Sequence, residues 1–136
     1  DANNNLIPFQ IGYLFEMKID LPEFFVTERA GDATRSDVRS WLNIQRFQLS
    51  SGATGLYDVN LDILGKDNRT INVVANRLNN INVGQLPLEP EWTQYIPVYE
   101  RSRNVDISIT TTHPSPFALY SLAWEGDYTK RWYRSV

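Results

Sequence analysis

The stretch "LYDVNLDIL", Leu56 to Leu64, sets Tyr57, Val59, Leu61 and Ile63 on one parity and Asp58, Asn60 and Asp62 on the other. Successive side chains of a strand point to opposite faces, so this alternation describes a strand with one apolar and one wetted face. A sheet packed on one side only is antiparallel, because parallel sheets are covered on both sides. Downstream, "GKDNR" is a turn of hairpin length leading into the short strand "TINVVAN" at 70–76.

The same period recurs on either side. In "YLFEMKIDL" the residues Tyr13, Phe15, Met17, Ile19 and Leu21 share a face, and in "VDISITT" Val105, Ile107 and Ile109 turn inward. "SWLNIQRFQLS" breaks the pattern: Leu42 and Ile44 have one parity, Phe47 and Leu49 the other. One extra residue near Gln45–Arg46, a β-bulge, brings all four to the core. "ALYSLAW" is apolar on both faces except for Ser121, which predicts a central or covered strand. In "TQYIPVY", Pro97 places the strand at a sheet edge. "SSGATG" and "HPSP" are turn signals, and "ERAGDATRSDVRS" is expected to be a long loop. The expected fold is an all-β, antiparallel β-sandwich of six to eight short strands, with a partly closed barrel as the alternative.

The chain has 136 residues, 42% apolar and 21% charged, which suits a single domain with a real core. The polar start "DANNNLIPFQ" lacks Met and the layout of a signal peptide, so residues 1–10 are expected to be a linker. Residues 11–136 are then one domain at the C-terminal end of a longer chain. No apolar run reaches the ~20 residues of a membrane span. Cysteine is absent, which removes thiol nucleophiles, disulfides and zinc–thiolate sites.

Catalytic patterns are weak. His113 is the sole histidine, it lies between Thr112 and Pro114, and no G-x-S-x-G motif accompanies it. A surface histidine is the expectation. "DVNLD" at 58–62 imitates the start of a calcium loop, but Ile63 stands where the turn needs Gly and Arg69 where a bidentate Glu belongs. Glu89 with Glu91 and Glu125 with Asp127 offer carboxylate pairs of commonplace spacing. "NRT" at 68–70 fits a glycosylation acceptor only for a eukaryotic secretory route. No catalytic, cofactor-binding or metal-binding residue is assigned.

The closing stretch "SLAWEGDYTKRWYRSV", 121–136, interleaves aromatics with cations. Nucleic acid would find stacking faces there, but a net charge of −3 opposes a phosphate backbone. Protein docking needs no net positive charge, and Trp, Tyr and Arg are enriched at interface hot spots. Tyr128, Lys130, Arg131, Trp132, Tyr133 and Arg134 are therefore the candidate subunit or partner interface. Sugar platforms are the third reading. Trp41 and Trp124 lie in apolar strand patterns and are expected in the core, which leaves Trp92 as the exposed candidate.

The order of motifs resembles one family. "SLAWEGDYTKRWYRSV" is similar to the closing segment of the tail tubular protein B (nozzle) family of short-tailed bacteriophages (podoviruses), with Trp124, Glu125 and Gly126 as the most specific match. "WLNIQRFQL", "TGLYDVNLDILGKDNRT", "VGQLPLEPEWTQYIPV" and "HPSPFALYSLAW" resemble its preceding elements in the same order. Ala53 and Ser51 depart from it, at places where that family carries an acidic residue and an aromatic. The resemblance implies a structural protein of the virion tail, without enzymatic activity or cofactor. It implies a hexameric ring of copies that contacts the tail adaptor and tail fibres and passes the genome DNA on ejection. The runner-up is a carbohydrate-binding β-sandwich for host-surface glycans, and a tail-embedded hydrolase comes third.

Overall fold

The structure, a computed structural model, describes residue 13 and residues 15–38, 40–74 and 91–130. It contains nine strands among these residues: β1 (Met17–Leu21), β2 (Thr27–Ala30), β3 (Ala33–Ser36), β4 (Trp41–Ser51), β5 (Leu56–Ile63), β6 (Arg69–Val74), β7 (Trp92–Arg101), β8 (Val105–Thr111) and β9 (Leu119–Thr129). A four-stranded sheet runs in the order β1-β8-β5-β6 and a three-stranded sheet in the order β7-β4-β9, while β2 and β3 form a separate hairpin. Every pairing is antiparallel. The all-β, sandwich-like architecture expected from the alternation is present.

The core lies where the apolar parities of the two sheets meet. From the four-stranded sheet come Tyr57, Val59, Leu61, Ile63, Val73, Val105, Ile107 and Ile109, and from the three-stranded sheet Leu42, Ile44, Phe47, Leu49, Ile96 and Val98. Asp58, Asn60 and Asp62 face away from it, which is why "LYDVNLDIL" alternates. The turn after β5 behaves as expected: β5 and β6 are neighbours, and Gly65 takes the left-handed φ of 76°.

The parity break in β4 is a bulge. Its register with β9 passes from Ile44↔Gly126 to Arg46↔Glu125, so Gln45 has no counterpart, and Leu42, Ile44, Phe47 and Leu49 are all buried. Pro97 is on β7, an edge strand, as its missing N–H requires.

Several expectations are corrected. Tyr13 is 99% exposed and Phe15 is 70% exposed, because β1 begins only at Met17. The segment at 28–40 is no loop: Ala30 pairs with Ala33 around Gly31–Asp32, and Gly31 supplies the positive φ of 65° at the first turn position. Polarity misled here, since a hairpin of alternating exposed residues has no apolar stripe to reveal it. "ALYSLAW" is an edge strand, not a central one. A second register shift, from Ser50↔Ser121 to Ser51↔Leu119, places Tyr120 outside and lets Leu119 and Leu122 pack on the core. The apolar run is thus a phase change rather than burial on two faces. Trp41 is on the outer face at 37% exposure, whereas Trp92 is half-buried against the core, the reverse of expectation. The expected linker at 1–10 lies outside the described residues.

Candidate docking segment and the sheet that carries it

The Trp124-Glu125-Gly126 motif sits where β9 passes the β4 bulge. Trp124 packs against the core from the inner face. Glu125 accepts a hydrogen bond from Arg46 Nε at 2.5 Å, which raises the guanidinium pKa, first through that bond and then through the opposite charge. Both side chains are about half exposed, so the pair fixes geometry more than it stabilises. Gly126 is required by space: a Cβ there would lie 2.1 Å from the carbonyl oxygen of Asn43 and 3.1 Å from Ile44 Cα. The motif is thereby a lock on the bulge.

A second lock joins the Thr-Gly turn to the turn before β9. The buried Thr54 hydroxyl donates to the Ala118 carbonyl at 3.1 Å and accepts from the Ala118 N–H at 3.0 Å. Gly55 donates to the Pro116 carbonyl at 3.0 Å, and a Cβ on it would meet Ser115 Oγ at 1.8 Å. In that turn His113 Nδ1 accepts from the Ser115 N–H at 3.3 Å, so the imidazole caps a surface turn. Nearby, burial pushes the Tyr57 phenol up to about 12, with Ser51 pulling weakly the other way. Its hydroxyl has no hydrogen-bond partner in acceptable geometry.

Of the candidate interface residues, the structure describes Tyr128 and Lys130. The Tyr128 hydroxyl donates to Asp37 Oδ2 at 2.8 Å and lies 3.3 Å from Glu28 Oε1. The hydrogen bond to Asp37 leads the effects that push this phenol up to about 12. Lys130 Nζ contacts both Glu28 oxygens at 2.9 Å. These residues therefore tie the β2–β3 hairpin to the end of β9. Arg131, Trp132, Tyr133 and Arg134 lie outside the described residues.

The outer face of the three-stranded sheet is what sequence reasoning missed. Tyr95 is 51% and Tyr99 71% exposed, on the same side as Trp41. Arg46 lies over the Tyr95 ring at 5.0 Å from its centroid, and Arg101 lies over Trp41 at 3.5 Å. The one available signal was Tyr-x-Pro-x-Tyr at 95–99, whose aromatics share a parity. Glu125 and Asp127 also share this face, but Glu125 is held by Arg46, and Asp127 accepts from Gln45 Nε2 at 2.7 Å. Among the described residues no group of three or more His, Asp or Glu side chains is placed to hold a metal ion, and no helix is long and apolar enough to cross a membrane.

No curated protein matches the chain in sequence. The family model described as bacteriophage nozzle protein matches residues 2–135, nearly the whole chain. An antiparallel sandwich, closed by two backbone locks at the same Trp-Glu-Gly and Thr-Gly stretches that carry the resemblance, is thus the frame of a tail component. The chain belongs to the bacteriophage nozzle protein family, structural proteins of the phage tail within the virion.

Proposed function

We propose that the chain acts as a wall element of the tail nozzle, assembles with copies of itself into a hexameric ring, and conducts DNA during ejection. Its role is structural, and its partners are its own copies, the tail adaptor and tail fibres. We infer also that residues 11–136 make up one domain.

The observation that carries the conduction reading is the charge of one outer face. On the four-stranded sheet, Asp20, Asp58, Asp62 and Asp106 point away from the core, and Lys18 is their only cation among the described residues. Lys18 is spent on Asp20 at 3.0 Å. Such a wall repels phosphates, so DNA slides past without having to be pulled off many charged contacts.

The ring reading rests on the family and on the terminal segment. Tyr128 and Lys130 tie the end of β9 to Asp37 and Glu28, and the residue types that follow in the sequence, Arg131, Trp132, Tyr133 and Arg134, are those that suit docking on a neighbour in head-to-tail contact. Electron microscopy of the full-length protein is expected to reveal six-fold rings; a monomer at every concentration, with or without the adaptor, contradicts the reading. Replacing Trp132 and Arg134 together with Ala is expected to weaken assembly while melting stays nearly unchanged. Replacing Asp58, Asp62 and Asp106 with Lys is expected to slow DNA release from assembled particles, and an unaltered rate removes the conduction argument.

A further inference from the structure

The outer face of the three-stranded sheet has an irregularity that a plain scaffold does not need. Tyr99 has φ 55°, the left-handed region that a bulky L-residue avoids. The register of β4 with β7 passes from Ile44↔Glu100 to Arg46↔Pro97, so Val98 and Tyr99 together oppose Gln45. The bulge keeps Val98 in the core and sends the Tyr99 ring outward. Among the described residues that ring and its hydroxyl make no hydrogen bond or ring contact, only a through-space interaction with Arg46, and a strained backbone that turns an exposed aromatic outward points to a use outside the chain.

Beside the ring opens a shallow depression of about 360 Å³, lined by Asn43, Gln45, Tyr99, Glu100, Arg101 and Asp127. That volume is at the small end of ligand sites. Its lining is one aromatic face set among amides, carboxylates and a guanidinium, with Ile44 as the one aliphatic member. The hydrogen bond from Gln45 to Asp127 pre-orients both groups and leaves the Gln45 carbonyl oxygen and the other Asp127 oxygen to accept. A pyranose divides in the same way, with an apolar C–H face for an aromatic ring and a rim of hydroxyls for amides and carboxylates.

Charge separates this ligand from its rivals. Arg46 is paired with Glu125, Lys66 with Glu100, and Arg101 is stacked on Trp41, so three cations stand with Glu100, Glu125 and Asp127 at no net charge. A phosphate polymer requires unspent cations. A protein hot spot requires a dry apolar pocket, and this depression is polar. The geometry points to a binding site for a neutral oligosaccharide on the outer face of β7-β4-β9. Tyr99 is its stacking platform, Tyr95 extends it along the strand, and Asn43, Gln45 and Asp127 bond the sugar hydroxyls. This goes beyond ring assembly and DNA passage, and it stands or falls separately from them.

The test is calorimetric titration of the full chain with three neutral probes: cellohexaose, maltohexaose and a linear mannohexaose. At least one is expected to bind with a dissociation constant in the range of about 1 mM or below. Tyr99→Gly should weaken that binding about tenfold or more while raising the melting temperature, because Gly accepts the left-handed φ without strain. Gln45→Ala should weaken it less. No binding to any of the three probes at about 10 mM overturns the proposal. So does binding that survives Tyr99→Gly and Tyr95→Ala together, which would put the sugar elsewhere. If Tyr99→Gly instead changes the sedimentation of the assembled protein and no probe binds, the face belongs to a second copy and the proposal is likewise overturned.

Discussion

The two sheets share one core but present opposite outer faces. The four-stranded sheet is regular: Asn60 donates to Thr110 at 3.0 Å, Thr70 donates to Asn60 at 2.9 Å, and Asn72 donates to Asp58 at 2.6 Å. Short polar side chains spend their valences on one another across β6, β5 and β8, which leaves an acidic surface without aromatics. The three-stranded sheet is bulged on both flanks of β4 and carries Tyr95, Tyr99 and Trp41 beside paired arginines. A regular ladder satisfies itself and repels, whereas a bulged sheet re-aims side chains and creates a depression. Within one sandwich, regularity yields a wall and irregularity yields a site.

The largest expected effect breaks the bulged side alone. Gly126→Ala drives a Cβ into the Asn43 carbonyl at 2.1 Å and should cost on the order of 3 kcal/mol, read as a lower denaturant midpoint. If the midpoint holds, the close approach of β9 to the bulge is not what fixes that face. Thr54→Val comes next. It removes both hydrogen bonds to Ala118 and should cost about 2 kcal/mol, with hydrogen exchange rising in the Thr-Gly turn before it rises in β5.

A third change bears on the core between the sheets. Tyr57→Phe removes a buried hydroxyl without a partner and should stabilise by up to about 1 kcal/mol. Burial raises the folded phenol to about 12 against 10 in the unfolded chain, so it adds no pH dependence below pH 10, and stability falls as pH rises from 10 towards 12, where the unfolded chain ionises more readily than the fold. Thermal melts across that window should fall less steeply for the variant than for the wild type. The smallest effect sharpens the acidic side. Asp62 and Asp106 stand directly opposite across β5 and β8, so Asp106→Asn should stabilise by roughly 0.5 kcal/mol in low salt and by less at high salt.

Legibility followed the same division. The regular sheet was readable along β5, β8 and the paired part of β1, though not at Tyr13 and Phe15, because a strand's period of two is a property of the pleat and needs no neighbour. The β4 bulge was readable too, since four apolar residues of mixed parity demand one. The second bulge was missed at Tyr120, where "ALYSLAW" offered apolar residues on both parities and so disguised a phase change as double burial. The β2–β3 hairpin was missed because its burial pattern gives no apolar signal. Of the docking segment, the sequence supplied Tyr128 and Lys130 as interface types. Their engagement with Glu28 and Asp37 joins residues 91 to 102 positions apart, which no local pattern encodes.

By itself the sequence determined the fold class, the inward and outward faces of most strands, the hairpin turn after β5 and the edge position of Pro97. These follow from pleat geometry and from proline's missing donor, both local properties. Only the tertiary structure decided that β4 is the central strand of its sheet, that Gly126 must be glycine, and that Tyr99 stands strained beside a polar depression. Each depends on how closely strands distant in the chain approach one another, and close packing makes that approach a property of the whole sandwich.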